Sequence, residues 1–124
     1  MQRLWMGLGA LAGLAAVIMA AVGAHALPGR LDPAAQAMAA SATQMLGWHA
    51  LALLACGLWV PRGGRLVDLA GAAFAIGLPL FCGAVYIHAL AGVSLGATAP
   101  TGGMLLMLGW ALLFVSAVRP GRAE

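Results

Sequence analysis

The chain has 124 residues, 64% of them hydrophobic and 7% charged, with a formal net charge of +3. Soluble domains carry about 45–50% apolar and about 25% charged residues, so this composition excludes a water-soluble globule. The basic residues, Arg3, Arg30, Arg62, Arg65, Arg119 and Arg122, are spread over separate flanks, which also excludes the continuous basic stripe of a nucleic-acid-binding protein.

The first apolar run, Leu4 to Ala26, reads as a membrane-spanning helix that ends at Pro28-Gly29. Its start resembles a signal peptide, but the uncharged stretch from Leu4 to Ala24 is longer than the 7–15 residues of a signal-peptide apolar core, so it is expected to span. Gly9 and Gly13 form a Gly-x-x-x-Gly pair, and Ala16, Ala20, Gly23 and Ala24 continue the small-residue face on which a second backbone can approach.

The connector from Arg30 to Ala40 contains Asp32-Pro33, a helix cap followed by proline at the first helical position, consistent with a short surface helix. Ser41 and Gln44 have capping-box spacing, which places the second span at about 42–60, with Pro61 as its stop. Trp48 and Trp59 fall on one stripe and are expected to anchor its two ends at the lipid interface. Arg62-Gly63-Gly64-Arg65 reads as a tight basic turn. The third span, about 67–91, carries Asp68 in its first turn, where a negative charge suits the helix dipole. Pro79 within it removes a backbone hydrogen bond and predicts a kink. Gly92 to Thr101 reads as an uncharged loop, and the fourth span, about 102–118, closes at Arg119-Pro120.

These elements predict an all-α, single-domain integral membrane protein built as an antiparallel four-helix bundle. Gly83, Gly102, Gly103 and Gly109 join Gly9, Gly13 and Gly23 as expected helix-packing positions. Four spans place both termini on one side, together with every arginine except Arg30, and the positive-inside rule makes that side cytoplasmic. Cys56 and Cys82 lie inside apolar runs and read as small fillers, not as a disulfide.

In this topology His25, His49 and His88 all belong to the outer half. His49 lies about 12 Å down its helix, where a neutral, hydrogen-bonded imidazole is expected. Two roles are open to it. It is either a structural group, bonded to a backbone carbonyl or to Tyr86, or part of a binding site made with His25 and Tyr86 for a metal, haem, quinone or other lipophilic ligand. Tyr86 and Cys82 share a helix face, whereas His88 points about 200° away from Tyr86. Two imidazoles without a carboxylate make a weak metal set, so no metal or other cofactor is implied. No nucleophile, base and orienting acid stand together, which argues against an enzyme. No acid lies inside a span, which lowers the expectation of proton-coupled transport. The expected partners are the bilayer and other membrane subunits or further copies of the chain, not nucleic acid.

Five segments resemble the YgdD-like family of small membrane proteins, found in bacteria and, as a transmembrane protein, in animals. They are Gly23-Ala24-His25-Ala26-Leu27, His49-Ala50-Leu51-Ala52-Leu53, Phe81-Cys82-Gly83-Ala84-Val85-Tyr86, Pro100-Thr101-Gly102-Gly103 and Gly109-Trp110. The chain departs from the family pattern at Met45 and Leu46, where a Tyr-Gln pair is usual, and at Cys82 and Ala84, where serines are usual. The resemblance carries His25, His49 and Tyr86 over as site candidates. It implies a multi-pass inner-membrane topology and carries no mechanism with it. The small-residue faces and the absence of catalytic groupings lead separately to the expectation of a protein that acts without catalysis, as an accessory or assembly subunit or a homo-oligomer.

Overall fold

A computed structural model describes residues 1–120; Arg122, one of the expected topology determinants, lies outside the described residues. Over the described residues the fold is all-α, with three helices: α1 (Gln2–His25), α2 (Pro33–Ala91) and α3 (Thr98–Val118). Each is long and apolar enough to cross a membrane. Large apolar side chains such as Leu11, Leu14 and Val17 of α1, Leu51 and Leu58 of α2, and Met104 and Phe114 of α3 stand exposed on the outer surface. Exposed apolar area on this scale suits contact with lipid rather than water.

The second helix starts earlier than its sequence suggests. Asp32 caps it by accepting a 2.7 Å bond from the Ala35 amide, with Pro33 in the first position. The run from Ala34 to Ala42 is rich in strong helix formers and contains no breaker. Helix therefore continues through Ser41, which is an interior residue and not a cap. At the far end, Gly92 adopts φ 70° and its amide bonds the His88 carbonyl, a left-handed glycine stop.

Between these ends α2 spans 59 residues and has non-helical dihedrals at one place, Gly64 (φ 61°, ψ −143°). Side chains carrying a Cβ are strained in that region of backbone space, so glycine is required there. Pro61, expected to end the helix, is carried within it, because a proline's fixed φ suits helix and its cost is the missing amide bond. The reversal comes at Gly64 instead. Past it the chain doubles back: the Cys82 thiol reaches the Ala42 carbonyl at 3.4 Å, and the Thr43 and Tyr86 hydroxyls are 2.6 Å apart. Thus α2 forms two antiparallel limbs, residues 33–63 and 65–91. Pro79 also lies inside helix, where the dihedrals stay helical.

The helices α1 and α3 pack on the two limbs and not on each other. The approach of α1 to the first limb is close at Gly9, where a Cβ would sit 2.9 Å from the Ala50 carbonyl oxygen and from Leu54. Gly57 admits α1 from the opposite side, against Met6 and the Gln2 carbonyl. On the second limb, Gly71 lies under the Trp5 indole, which is 3% exposed, and Gly77 faces Gly102 of α3 with a Cβ-to-carbonyl distance of 2.8 Å. Gly109 receives the Phe74 ring. Gly13 and Gly103 make ordinary van der Waals contacts. Gly23 and Gly83 have open space where a Cβ would stand, so, contrary to the expectation, neither is a point of close approach between the helices of this chain. The core formed this way centres on Phe74, Leu53, Leu106, Val67 and Cys56.

Substituting Gly64→Ala should destabilise the protein by about 1–3 kcal/mol through backbone strain, read as a lower midpoint of unfolding in mixed micelles. Gly83→Ala should leave that midpoint unchanged; an equal loss for both would contradict this assignment of the turn.

Candidate functional site: a histidine held between two limbs and a third helix

His49 is the one polar or charged side chain buried in the core among the described residues, at 2% exposure. It sits in the first limb, and its Nδ1 lies 2.7 Å from the Met45 carbonyl one turn earlier. Its Nε2 accepts a 3.0 Å bond from the Trp110 indole N–H of α3. A carbonyl only accepts and an indole N–H only donates, so the two bonds select a single ring state: neutral, with the proton on Nδ1. Both nitrogens are then occupied within the fold, and no lone pair faces a cavity.

The second limb completes the enclosure. Phe74, fully buried, meets His49 edge-on at 5.5 Å between centroids and Trp110 at 5.3 Å, while His49 and Trp110 stand 5.9 Å apart. All three contacts have the tilted geometry that ring quadrupoles favour. Gly109 makes room for Phe74 beside this cluster. The ring trio joins both limbs of α2 to α3. Trp110 keeps the rest of its indole on the outer surface, about half exposed, as an amphipathic ring does at a boundary.

The other site candidates are elsewhere. Tyr86 bonds Thr43, whose hydroxyl also donates to the Ala39 carbonyl at 2.9 Å. Thr43, not His49, is therefore the partner of Tyr86. Cys82 meets the same limb through Ala42, so Tyr86 and Cys82 share one face, and His88 is exposed on another. His25 ends α1 and is exposed. Along the antiparallel pair formed by α1 and the first limb, Gly47 lies beside Ala16, whereas Gly23 and Ala24 border the cavity shared with Gln36 and Ala40. His25 is thus roughly ten residues, or about 15 Å, along the bundle from His49. The geometry brings His49 to Trp110 and Tyr86 to Thr43, and does not bring His25, His49 and Tyr86 together. Among the described residues, no three His, Cys, Asp or Glu side chains converge as a metal site would need. Cys56 and Cys82 are free, buried thiols.

Two polar contacts were not legible in the residue pattern. Trp110 gave a signal in its Gly109-Trp110 pair but no indication of which helix it meets. Trp5 donates to the Asp68 carboxylate at 2.6 Å, tying the start of α1 to the first turn of the second limb, so Asp68 anchors a neighbouring helix in addition to sitting where the dipole favours it. Trp48 is exposed, but Trp59 packs partly against the core instead of sharing its outward-facing stripe.

Replacing Trp110 by Phe removes the donor and leaves Nε2 unpaired, and should cost about 1 kcal/mol, the scale of a hydrogen bond between membrane helices. The double variant His49→Phe, Trp110→Phe should lose less than the two single losses combined. Strict additivity in a micelle unfolding cycle would show that the pair is not coupled.

Comparison with known proteins fits this architecture. Residues 19–103 match the family model described as protein of unknown function (DUF423). A UPF0382 membrane protein of Staphylococcus epidermidis is 35% identical over 95% of this chain and 98% of its own length. The UPF0382 membrane protein YwdK of Bacillus subtilis is 32% identical over the same shares, and the UPF0382 inner membrane protein YgdD of Escherichia coli is 29% identical over 95% and 92%. No solved structure matches. With matches running nearly end to end and helices suited to repeated crossing of a bilayer, the chain belongs to the DUF423 family, the UPF0382 multi-pass proteins of the plasma membrane.

Proposed function

We propose that the chain is a four-span antiparallel bundle with both termini in the cytoplasm, and that it works without catalysis, by helix packing. It serves as an accessory or assembly subunit of a larger membrane complex, or as a homo-oligomer. The observation that carries this reading is the state of His49: among the described residues it is the one polar side chain deep in the core, and both ring nitrogens are engaged within the fold, Nδ1 on its own helix at Met45 and Nε2 across to Trp110 of α3.

The four-span topology is supported by the lengths of the two α2 limbs, each exceeding the ~20 residues that cross a bilayer. Charge supports the orientation. Gly57 packs on Gln2 and Met6, Trp5 bonds Asp68, and Ser116 and Arg119 of the α3 end lie near Trp59 and Leu66. Arg3, Arg62, Arg65 and Arg119 therefore gather at one end, with Arg30 near the other, and the arginine-rich end is the cytoplasmic one.

A second reading, a carrier of a small lipophilic ligand, is favoured by a cavity of about 550 Å³ between the end of α1 and the start of α2. Met19, Gly23 and Ala40 line it, with Gln36, Thr43 and Gln44 as its polar residues. Neither His25 nor His49 borders it, so its ligand is held by apolar and amide contacts and not by imidazole.

In intact cells a thiol introduced by Gln36→Cys should react with a membrane-impermeant reagent from outside; reaction only from within would reverse the topology. Gentle extraction should give an oligomer or a defined complex, and a strictly monomeric species with no co-purifying protein would overturn the packing role. For the second reading, Thr43→Trp should displace any lipophilic molecule that co-purifies with the parent protein, and an unchanged content would retire it.

A further inference from the structure

A second cavity, of about 410 Å³, opens at the Gly64 reversal. Arg62 and Arg65 enter it from either side of the turn, Arg119 from the end of α3, and Trp59 and Ser116 complete its wall. Three arginines from two elements distant in sequence thus border one hollow, and no acidic side chain lines it among the described residues. The nearby carboxylate, Asp68, is engaged by the Trp5 indole. Three guanidinium groups bordering one hollow raise its positive potential and favour an anion there, and guanidinium forks match phosphate oxygens in pairs. The position narrows the anion further. The cavity sits where apolar helices end, and a half-buried tryptophan borders it, as at the headgroup level of a bilayer. Basic pockets between helix ends in such a position hold phosphate headgroups.

We propose that this cavity binds a phosphate group of the kind carried by anionic phospholipid headgroups, with Arg62, Arg65 and Arg119 as its ligands. Arg3 lies at the same end of the bundle but outside the cavity, which makes it a control of equal charge. The three ligand arginines are exposed, so replacing them leaves the core intact.

The test titrates the detergent-solubilised full chain with short-chain phosphatidylglycerol, short-chain phosphatidylcholine and inorganic phosphate in parallel. Phosphatidylglycerol should bind saturably, and Arg62→Gln, Arg65→Gln and Arg119→Gln should each weaken it about fivefold or more. Arg3→Gln should change it less than twofold. Competition by inorganic phosphate that is lost in the same three variants would assign the site to free phosphate, and its failure to compete would assign the site to the lipid; either result supports a phosphate site. Equal weakening by Arg3→Gln, or equal binding of phosphatidylcholine and phosphatidylglycerol, would overturn the proposal, because net charge or hydrophobic adsorption would then account for the binding.

Discussion

Inside hydrocarbon no water is present to bond a polar group, so every donor and acceptor must find its partner within the protein. That constraint accounts for the shape of the chain. Backbone groups between Gln2 and Val118 are satisfied mainly by helix, the exceptions being the short connectors, Gly64, and the turns before Pro61 and Pro79, where an amide donor is missing. Several polar side chains within the helices are satisfied in turn. Thr43 bonds a carbonyl one turn back and the Tyr86 hydroxyl, the Cys82 thiol leans on the Ala42 carbonyl, and His49 is held at both nitrogens. Among the described residues no buried side-chain donor or acceptor is left without a partner.

Because lipid is as apolar as leucine, helices gain little by merely hiding apolar surface from it, and close contact has to hold them instead. The glycines supply that contact selectively. Gly9, Gly57, Gly71, Gly77, Gly102 and Gly109 each stand where a Cβ would collide with a neighbouring helix; Gly71 and Gly109 meet the Trp5 indole and the Phe74 ring, and the other four meet backbone and aliphatic atoms. A ring is laid over a glycine twice: Trp5 over Gly71, with its indole N–H bonded to Asp68, and one turn further along the second limb Phe74 over Gly109, beside the His49–Trp110 pair. At Trp5, packing and polar satisfaction are therefore achieved by the same side chain.

The two ends of the bundle differ in kind. One is closed by short-range bonds, with Gln36 donating to the Leu31 carbonyl and Leu27, Ala39 and Ala89 forming a small core of their own. The other gathers arginines around the Gly64 turn and the close of α3. A protein with this asymmetry meets the two leaflets differently, one through a knit loop and the other through positive charge.

Long apolar helices were legible from the chain itself, since apolar runs with polar or glycine-proline boundaries leave few alternatives; helix ends fall at Ala91 and Val118, next to Gly92 and Arg119, but α3 begins at Thr98, inside the stretch read as a loop up to Thr101. The start of α2 was not, because Ser41-x-x-Gln44 imitates a cap and the alanine-rich stretch before it is equally content as helix. The residue pattern also marked His49 as the group to explain and left its partner open between Tyr86 and a backbone carbonyl. Only the tertiary structure decided that the partners are Met45 and Trp110, that Tyr86 belongs with Thr43, and that His25 stands apart. The reason is geometric. Sequence spacing fixes which face of a helix a side chain occupies, but the level at which two helices meet depends on where their glycines let them touch, and that is a property of the pair.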